Sequence, residues 1–292
     1  RRLGNVDITV TKNWKDGNGA GRQALIAELN KIQENDKTPP KLVLYLEFDE
    51  TMGVNHDYVI DYIENTVQVA QEGDLVKILN KEGEPAAAIQ KLLTVNTTQT
   101  SSDSSEYYFF NLPKYDANGT TVRYEVREIW VDENNQEIKD LSTEYPGLAE
   151  VWAEFSTKVE ESYTPDRDHH DENDVQTIKI TNQRGGSKTV YWHKIWNDAY
   201  NQSVSRRPDI FLNIYRVSNA PAEGEEPRKP ELYKANYDWE YDEEEDTLNE
   251  WDAKFEGLPK YDDNGYEYTY YAIENTSIKT DFDYVAVVYS YN

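Results

Sequence analysis

Asn111-Leu112-Pro113-Lys114-Tyr115-Asp116-Ala117-Asn118-Gly119 returns almost unchanged as Gly257-Leu258-Pro259-Lys260-Tyr261-Asp262-Asp263-Asn264-Gly265. Each copy runs into an alternating segment, Thr121-Val122-Arg123-Tyr124-Glu125-Val126-Arg127-Glu128 in the first and Glu267-Tyr268-Thr269-Tyr270-Tyr271-Ala272-Ile273-Glu274 in the second. Asp-x-Asn-Gly between two strand-like runs signals a tight hairpin, with Gly119 and Gly265 supplying a positive φ that residues with a Cβ avoid. A repeat must be read before any single element, because it sets the domain count. This one predicts two β domains in tandem.

The repeat extends upstream. Val10-Thr11-Lys12-Asn13-Trp14-Lys15-Asp16 matches Trp192-His193-Lys194-Ile195-Trp196-Asn197-Asp198, and Arg22-Gln23-Ala24-Leu25-Ile26 aligns with Arg207-Pro208-Asp209-Ile210-Phe211. Three blocks in one order indicate a duplication. Elsewhere Val6–Val10, Lys41–Phe48, Glu106–Phe110, Gln176–Thr181, Thr189–Ile195, Ile210–Val217 and Tyr284–Tyr291 alternate or are rich in β-branched and aromatic residues. Strands at this spacing with tight turns predict an all-β chain of two β-sandwiches.

The copies differ in length. Lys12 to Glu128 spans 116 residues and Lys194 to Glu274 spans 80, so the first copy carries about 36 more. The division predicted is residues 1–185, with an insert at about 41–105, and residues 186–292. Within the insert, Asp74–Asn80 and Pro85–Leu93 read as short helix. The boundary falls at Gln183-Arg184-Gly185-Gly186-Ser187-Lys188, a linker short enough to hold the domains end to end.

The 292 residues include 30 basic and 56 acidic side chains, a net charge of −26. That balance disfavours nucleic-acid backbones and anionic lipid, both of which need clustered Lys and Arg. A mean hydropathy of −0.89 raises the question of disorder. The 7 Trp, 23 Tyr and 7 Phe answer it, because disordered chains are poor in aromatics. No apolar run approaches the length of a membrane helix, and Arg1–Val6 lacks the apolar stretch of a signal peptide. Neither absence bears on location, since a fragment of a longer protein would show both. With no cysteine there is no disulfide, thiolate nucleophile or Cys-ligated zinc.

Two lysines hold candidate chemistry. Val10, Lys12 and Trp14 share one face of an alternating strand, as Trp192, Lys194 and Trp196 do. On alternation alone each lysine reads either as a solvated strand residue with its stem along the surface or as a buried amine. Burial would lower its pKa and raise that of a neighbouring carboxyl, setting a neutral nucleophile beside a proton donor.

Lys-x-Trp-x-Asp, then Arg-Pro-x-Ile, then Leu-Pro-Lys-Tyr-Asp-x-Asn-Gly running into the Glu128 and Glu274 strands, resembles the collagen-adhesin B-type (CnaB) repeat across nearly the whole chain. The resemblance implies two tandem immunoglobulin-like or prealbumin-like sandwiches from the stalk of a Gram-positive surface adhesin or pilin. It also implies a spontaneous isopeptide bond between a first-strand Lys and a last-strand Asn, catalysed by a Glu. In the first domain these are Lys12, Asn182 in Ile178-Lys179-Ile180-Thr181-Asn182, and Glu128. The amine would attack the carboxamide carbon and expel ammonia, while protonated Glu128 polarised the carbonyl and shuttled protons.

The second domain has Lys194 and Glu274 but no Ile-Thr-Asn, so its final strand is read as missing and the domain as unlinked; the alternative makes Asn292 the acceptor. The implied protein is extracellular and cell-wall-anchored, with its anchor outside this chain. It would be no enzyme beyond that single turnover, and would need no cofactor or metal. Its partners are neighbouring repeats of the same polypeptide, with no nucleic acid and no membrane insertion. Alternatively the first-domain insert or exposed aromatics would bind a glycan or host matrix protein.

Weaker constellations have simpler readings. Asp168-His169-His170-Asp171-Glu172 reads as a polar loop rather than a cation site, and Tyr241-Asp242-Glu243-Glu244-Glu245-Asp246 as an acidic turn lacking the spaced ligands of a calcium loop. Asp116-Ala117-Asn118-Gly119 is turn chemistry first. The Asn-x-Ser/Thr sequons at Asn96, Asn118, Asn201 and Asn275 carry no weight in the bacterial setting the resemblance implies. Paired carboxylates of a glycosidase can be found in any chain this acidic, and no phosphate loop, dinucleotide fingerprint or nucleophile elbow is present.

Overall fold

The computed structural model describes residues 4–48, 53–55, 57–59, 61–62, 68–70, 90–93, 103–134, 136–165, 173–196, 210–222, 228–239 and 250–274. The chain divides into two compact units, Arg1–Arg184 and Gly185–Asn292. Asp74–Asn80, Asp168–Glu172, Tyr241–Asp246, Tyr284–Tyr291, Asn292 and the sequons at Asn96, Asn201 and Asn275 lie outside the described residues.

In the first unit, β1 (Asn5–Lys15) pairs antiparallel with β5 (Ser104–Pro113) and parallel with β8 (Asp174–Arg184). With β3 (Gln68–Ala70) and β7 (Phe155–Thr164) at its edges, this sheet runs β3-β5-β1-β8-β7. The facing sheet is β4-β2-β6, built from β2 (Lys41–Phe48), β4 (Gln90–Leu93) and β6 (Tyr124–Val131). Inward alternation of Val6, Ile8 and Val10 on β1, Phe109 on β5, Tyr124 and Val126 on β6, and Ile178 and Ile180 on β8 fills the space between the sheets. This is a β-sandwich.

A second apolar cluster closes one end of that sandwich. Helix α1 (Ala20–Glu34) carries Leu25, Leu29 and Ile32 at helical spacing. The short helices α2 (Leu141–Glu144) and α3 (Pro146–Trp152) bring Leu148 and Trp152. These side chains gather around Leu42, Trp130, Trp14 and Phe155, with edge-on ring pairs Trp14–Phe155 at 5.7 Å and Trp130–Trp152 at 5.5 Å. The start of α1 packs so tightly that a Cβ on Gly21 would lie 2.6 Å from Phe155 Cζ.

The second unit repeats the framework. β9 (Ser187–Ile195) pairs with β12 (Glu250–Pro259), and β10 (Ile210–Ser218) lies between β11 (Glu231–Trp239) and β13 (Tyr268–Glu274). Its core is aromatic, with Trp192, Trp239, Trp251, Phe255 and Tyr270 buried beside Ile210, Leu212 and Ile214.

Four sequence expectations change. Arg22–Ile26 is not the counterpart of Arg207–Phe211, because it lies in α1 whereas Ile210 opens a strand. Five residues were too few to separate alternation from an apolar helical stripe. The true counterpart of β10 is β2, since Leu212 sits opposite Glu274 just as Leu44 sits opposite Glu128. Lys41–Phe48 is therefore framework rather than inserted sequence, as is β5 at the far end of the expected insert. From the lysine to that leucine the first copy is 14 residues longer (32 against 18), and from the leucine to the glutamate 22 longer (84 against 62).

Gln90–Leu93, read as the end of a helix, is instead strand β4 on the edge of β2. Four residues hold too little pattern to decide, and pairing decides it. The Asp-x-Asn-Gly turns also form differently from a hairpin. Asp116 Oδ1 accepts from the N–H groups of Asn118 and Thr120, and Asp262 Oδ1 from those of Asn264 and Tyr266. Gly119 and Gly265 take φ of 84° and 82°. Only one bridge forms beyond each turn, Tyr115–Thr121 and Tyr261–Glu267, before the strands part to opposite sheets.

Candidate functional site

Alternation on β1 sends Lys12 inward between Val10 and Trp14, and the parallel register places it beside Ile180, two residues from Asn182 on β8. Across the sandwich, Glu128 stands opposite Leu44 on the inner face of β6. All three polar side chains enter the interior in the layer between the main core and the helical end cluster. Lys12 and Glu128 side chains are each 1% exposed, and Asn182 is 0% exposed.

One carboxyl group joins the other two. Lys12 Nζ lies 2.7 Å from Glu128 Oε2, and Asn182 Nδ2 donates to Glu128 Oε1 at 2.5 Å. The Lys12–Glu128 contact is an ion pair closed off from water. Nζ also stands 4.5 Å from the Trp14 ring centre. Burial drives the Lys12 pKa down from 10.5 to about 8, against the opposing pull of the Glu128 charge.

Isolated charges in so dry a site are costly, and removal of one partner of a buried pair typically costs 3–5 kcal/mol. The helical cluster is what keeps it dry. Trp14 follows Lys12 on the inner face of β1, Trp130 follows Glu128 on β6, and α1, α3 and Phe155 cover both rings. The sequence reading placed no helix here.

It also missed two hydroxyls. Thr157 on β7, directly opposite Asn182 in the ladder, donates from Oγ1 to Asn182 Oδ1 at 3.0 Å. The only sequence signal was its place on the strand preceding the acceptor strand. Tyr124 donates to the carbonyl of Pro113 at 2.8 Å, and its counterpart Tyr270 to Pro259 at 2.7 Å. Those bonds tie the repeated turn to the start of each glutamate strand.

The Asn182 amide turns its nitrogen to Glu128 and its oxygen to Thr157.

The second unit has half of this arrangement. Lys194 Nζ lies 2.6 Å from Glu274 Oε1 and 4.4 Å from the Trp196 ring centre. The pair is more open, with side chains 10% and 18% exposed. Asn292, the alternative acceptor, lies outside the described residues. Among the described residues no three His, Asp or Glu side chains gather as metal ligands, and no helix is long and apolar enough to cross a membrane.

The profile of the Cna protein B-type domain matches residues 64–145 and 190–290. The first segment contains Glu128, and the second contains Lys194 and Glu274; Lys12 and Asn182 fall outside both. Neither a curated protein nor a solved structure matches the chain. The two matched segments cover more than half of the sequence and coincide with the two glutamate strands that the duplication and the sheet topology set in equivalent places. The chain belongs to the Cna protein B-type domain family, whose members are structural modules of surface adhesins.

Proposed function

We propose that the chain is a load-bearing stalk segment of a bacterial surface adhesin, made of two modules, 1–185 and 186–292. The first module links itself by a Lys12–Asn182 isopeptide bond. The observation that carries this reading is one buried carboxyl, Glu128, in contact with both an amine of lowered pKa and the amide it would attack. In the neutral form of the pair, Lys12 Nζ attacks Asn182 Cγ. The Nζ–Cγ bond forms, the Cγ–Nδ2 bond breaks, and ammonia leaves. Glu128 takes a proton from Nζ at one oxygen and gives one to Nδ2 from the other.

Strand direction supports the mechanical role. β1 and β8 are parallel neighbours, so tension entering at the start of β1 and leaving at the end of β8 shears their ladder. A bond between Lys12 and Asn182 would carry that tension and leave the chain between them unloaded. The protein's neighbours in this role are further repeats of the same polypeptide, in a cell-wall-anchored Gram-positive protein.

Intact mass tests the reading. The wild-type chain is expected one ammonia lighter than its sequence, and Lys12→Met, Glu128→Gln and Asn182→Ala each at full mass less any substitution difference. A wild-type chain at full sequence mass refutes the bond.

A further inference from the structure

We propose that Thr157 is a further catalytic residue of the crosslinking step, its hydroxyl carrying the negative charge that develops on Asn182 Oδ1. This rests on the crosslinking function proposed above. Attack on the carboxamide carbon pushes an electron pair onto Oδ1, and an acyl transfer without a donor at that oxygen is slow. Glu128 stands at the entering and leaving nitrogens, 2.7 Å from Lys12 Nζ and 2.5 Å from Asn182 Nδ2. The oxygen points the other way, to β7, where Thr157 Oγ1 donates to it at 3.0 Å.

The arrangement divides the labour. Nζ–Cγ bond formation, proton passage from Nζ to Nδ2 through Glu128, and loss of ammonia occur on one side of the amide. Charge on Oδ1 rises and falls against the Thr157 hydroxyl on the other, with no net proton taken from Thr157. Register fixes the placement, since Thr157 is the cross-strand partner of Asn182. β7 is exposed from Ser156 to Thr164, Thr157 included, so the burial of this bond comes from the Asn182 side.

The test uses the full chain recovered unfolded in urea, refolded by dilution, quenched at intervals and weighed intact. Thr157→Val, which keeps the shape and loses the hydroxyl, is expected to slow ammonia loss about 100-fold while still reaching full linkage. Thr157→Ser is expected to link within a few-fold of wild type, and it decides the matter if Thr157→Val does not fold. Linkage by Thr157→Val at the wild-type rate, with only its unfolding midpoint lowered, overturns the proposal and leaves Thr157 a structural partner. Slowing by Thr157→Ser as great as by Thr157→Val also overturns it, since the methyl would then be what matters. A wild-type chain that never loses ammonia sinks the crosslinking function itself and this role with it.

Discussion

At the scale of single residues, the buried Lys12 amine is the group whose titration decides the pH dependence of the step. The ion pair and the neutral amine beside a neutral acid hold the same number of protons, so acidity does not shift one against the other. The pair loses a proton as pH rises through about 8, the depressed value of Lys12. If Glu128 is the proton relay, crosslinking after refolding is fastest below about 8, where the pair still holds its proton. Above that it falls about tenfold per pH unit. A rate that instead climbs through pH 8 to a plateau shows that the free amine suffices without the relay. Stability of the unlinked fold carries the opposite sign. Its lysine pKa lies below the unfolded value of 10.5, so the unfolded chain binds more protons between about 8 and 10.5 and the unlinked fold gains stability as pH rises through that window.

At the scale of elements, α1 is held by an aspartate of the repeated Lys-x-Trp-x-Asp motif. Asp16 is 1% exposed and accepts from the backbone N–H of Gly19 at 3.0 Å and of Arg22 at 3.0 Å. It also accepts from Arg22 Nε at 2.8 Å and Nη2 at 3.3 Å, and the same Nη2 reaches Asp103. Asp16→Ala removes the buried counter-charge and frees the helix start that packs on Phe155. It is expected to destabilise the first unit by about 3 kcal/mol in denaturant unfolding. It should also raise the exposure of Trp14 by fluorescence quenching. An unchanged midpoint would mean that α1 docks without this cap.

Strand elements were legible because period-two alternation survives in short runs. Alternation set Lys12 on one face with Val10 and Trp14 and Asn182 on one face with Ile178 and Ile180, but left open whether the lysine's face met water. Glu128 and Asn182 were named by the family resemblance. The helices were not legible. Arg22–Ile26 is ambiguous over five residues, and only the packing of Leu25, Leu29 and Ile32 under Trp130 and Trp14 settles it. Thr157 was invisible for a different reason. A hydroxyl on an exposed edge strand acquires meaning only from the residue across the ladder.

At the scale of the whole molecule, the duplication in sequence reappears as a duplication in topology. β5-β1 and β4-β2-β6 of the first unit correspond to β12-β9 and β11-β10-β13 of the second. The two units differ in how far their lysine–glutamate pairs are shut from water. A cross-link closing a loop of about 170 residues would stabilise the first unit by about 5 kcal/mol through the entropy of the unfolded chain. Asn182→Ala, which forgoes the bond, is expected to lose about that much along with the local packing of the amide. Denaturant unfolding of the two proteins checks the difference, and equal unfolding free energies would argue against a closed loop in the wild type.

The most direct measurement is a tandem mass spectrum of proteolytic peptides from the folded wild-type chain. The account predicts a branched species joining the peptide around Lys12 to the peptide around Asn182, lighter by one ammonia than the two combined. Recovery of both peptides separately and at full mass would contradict it.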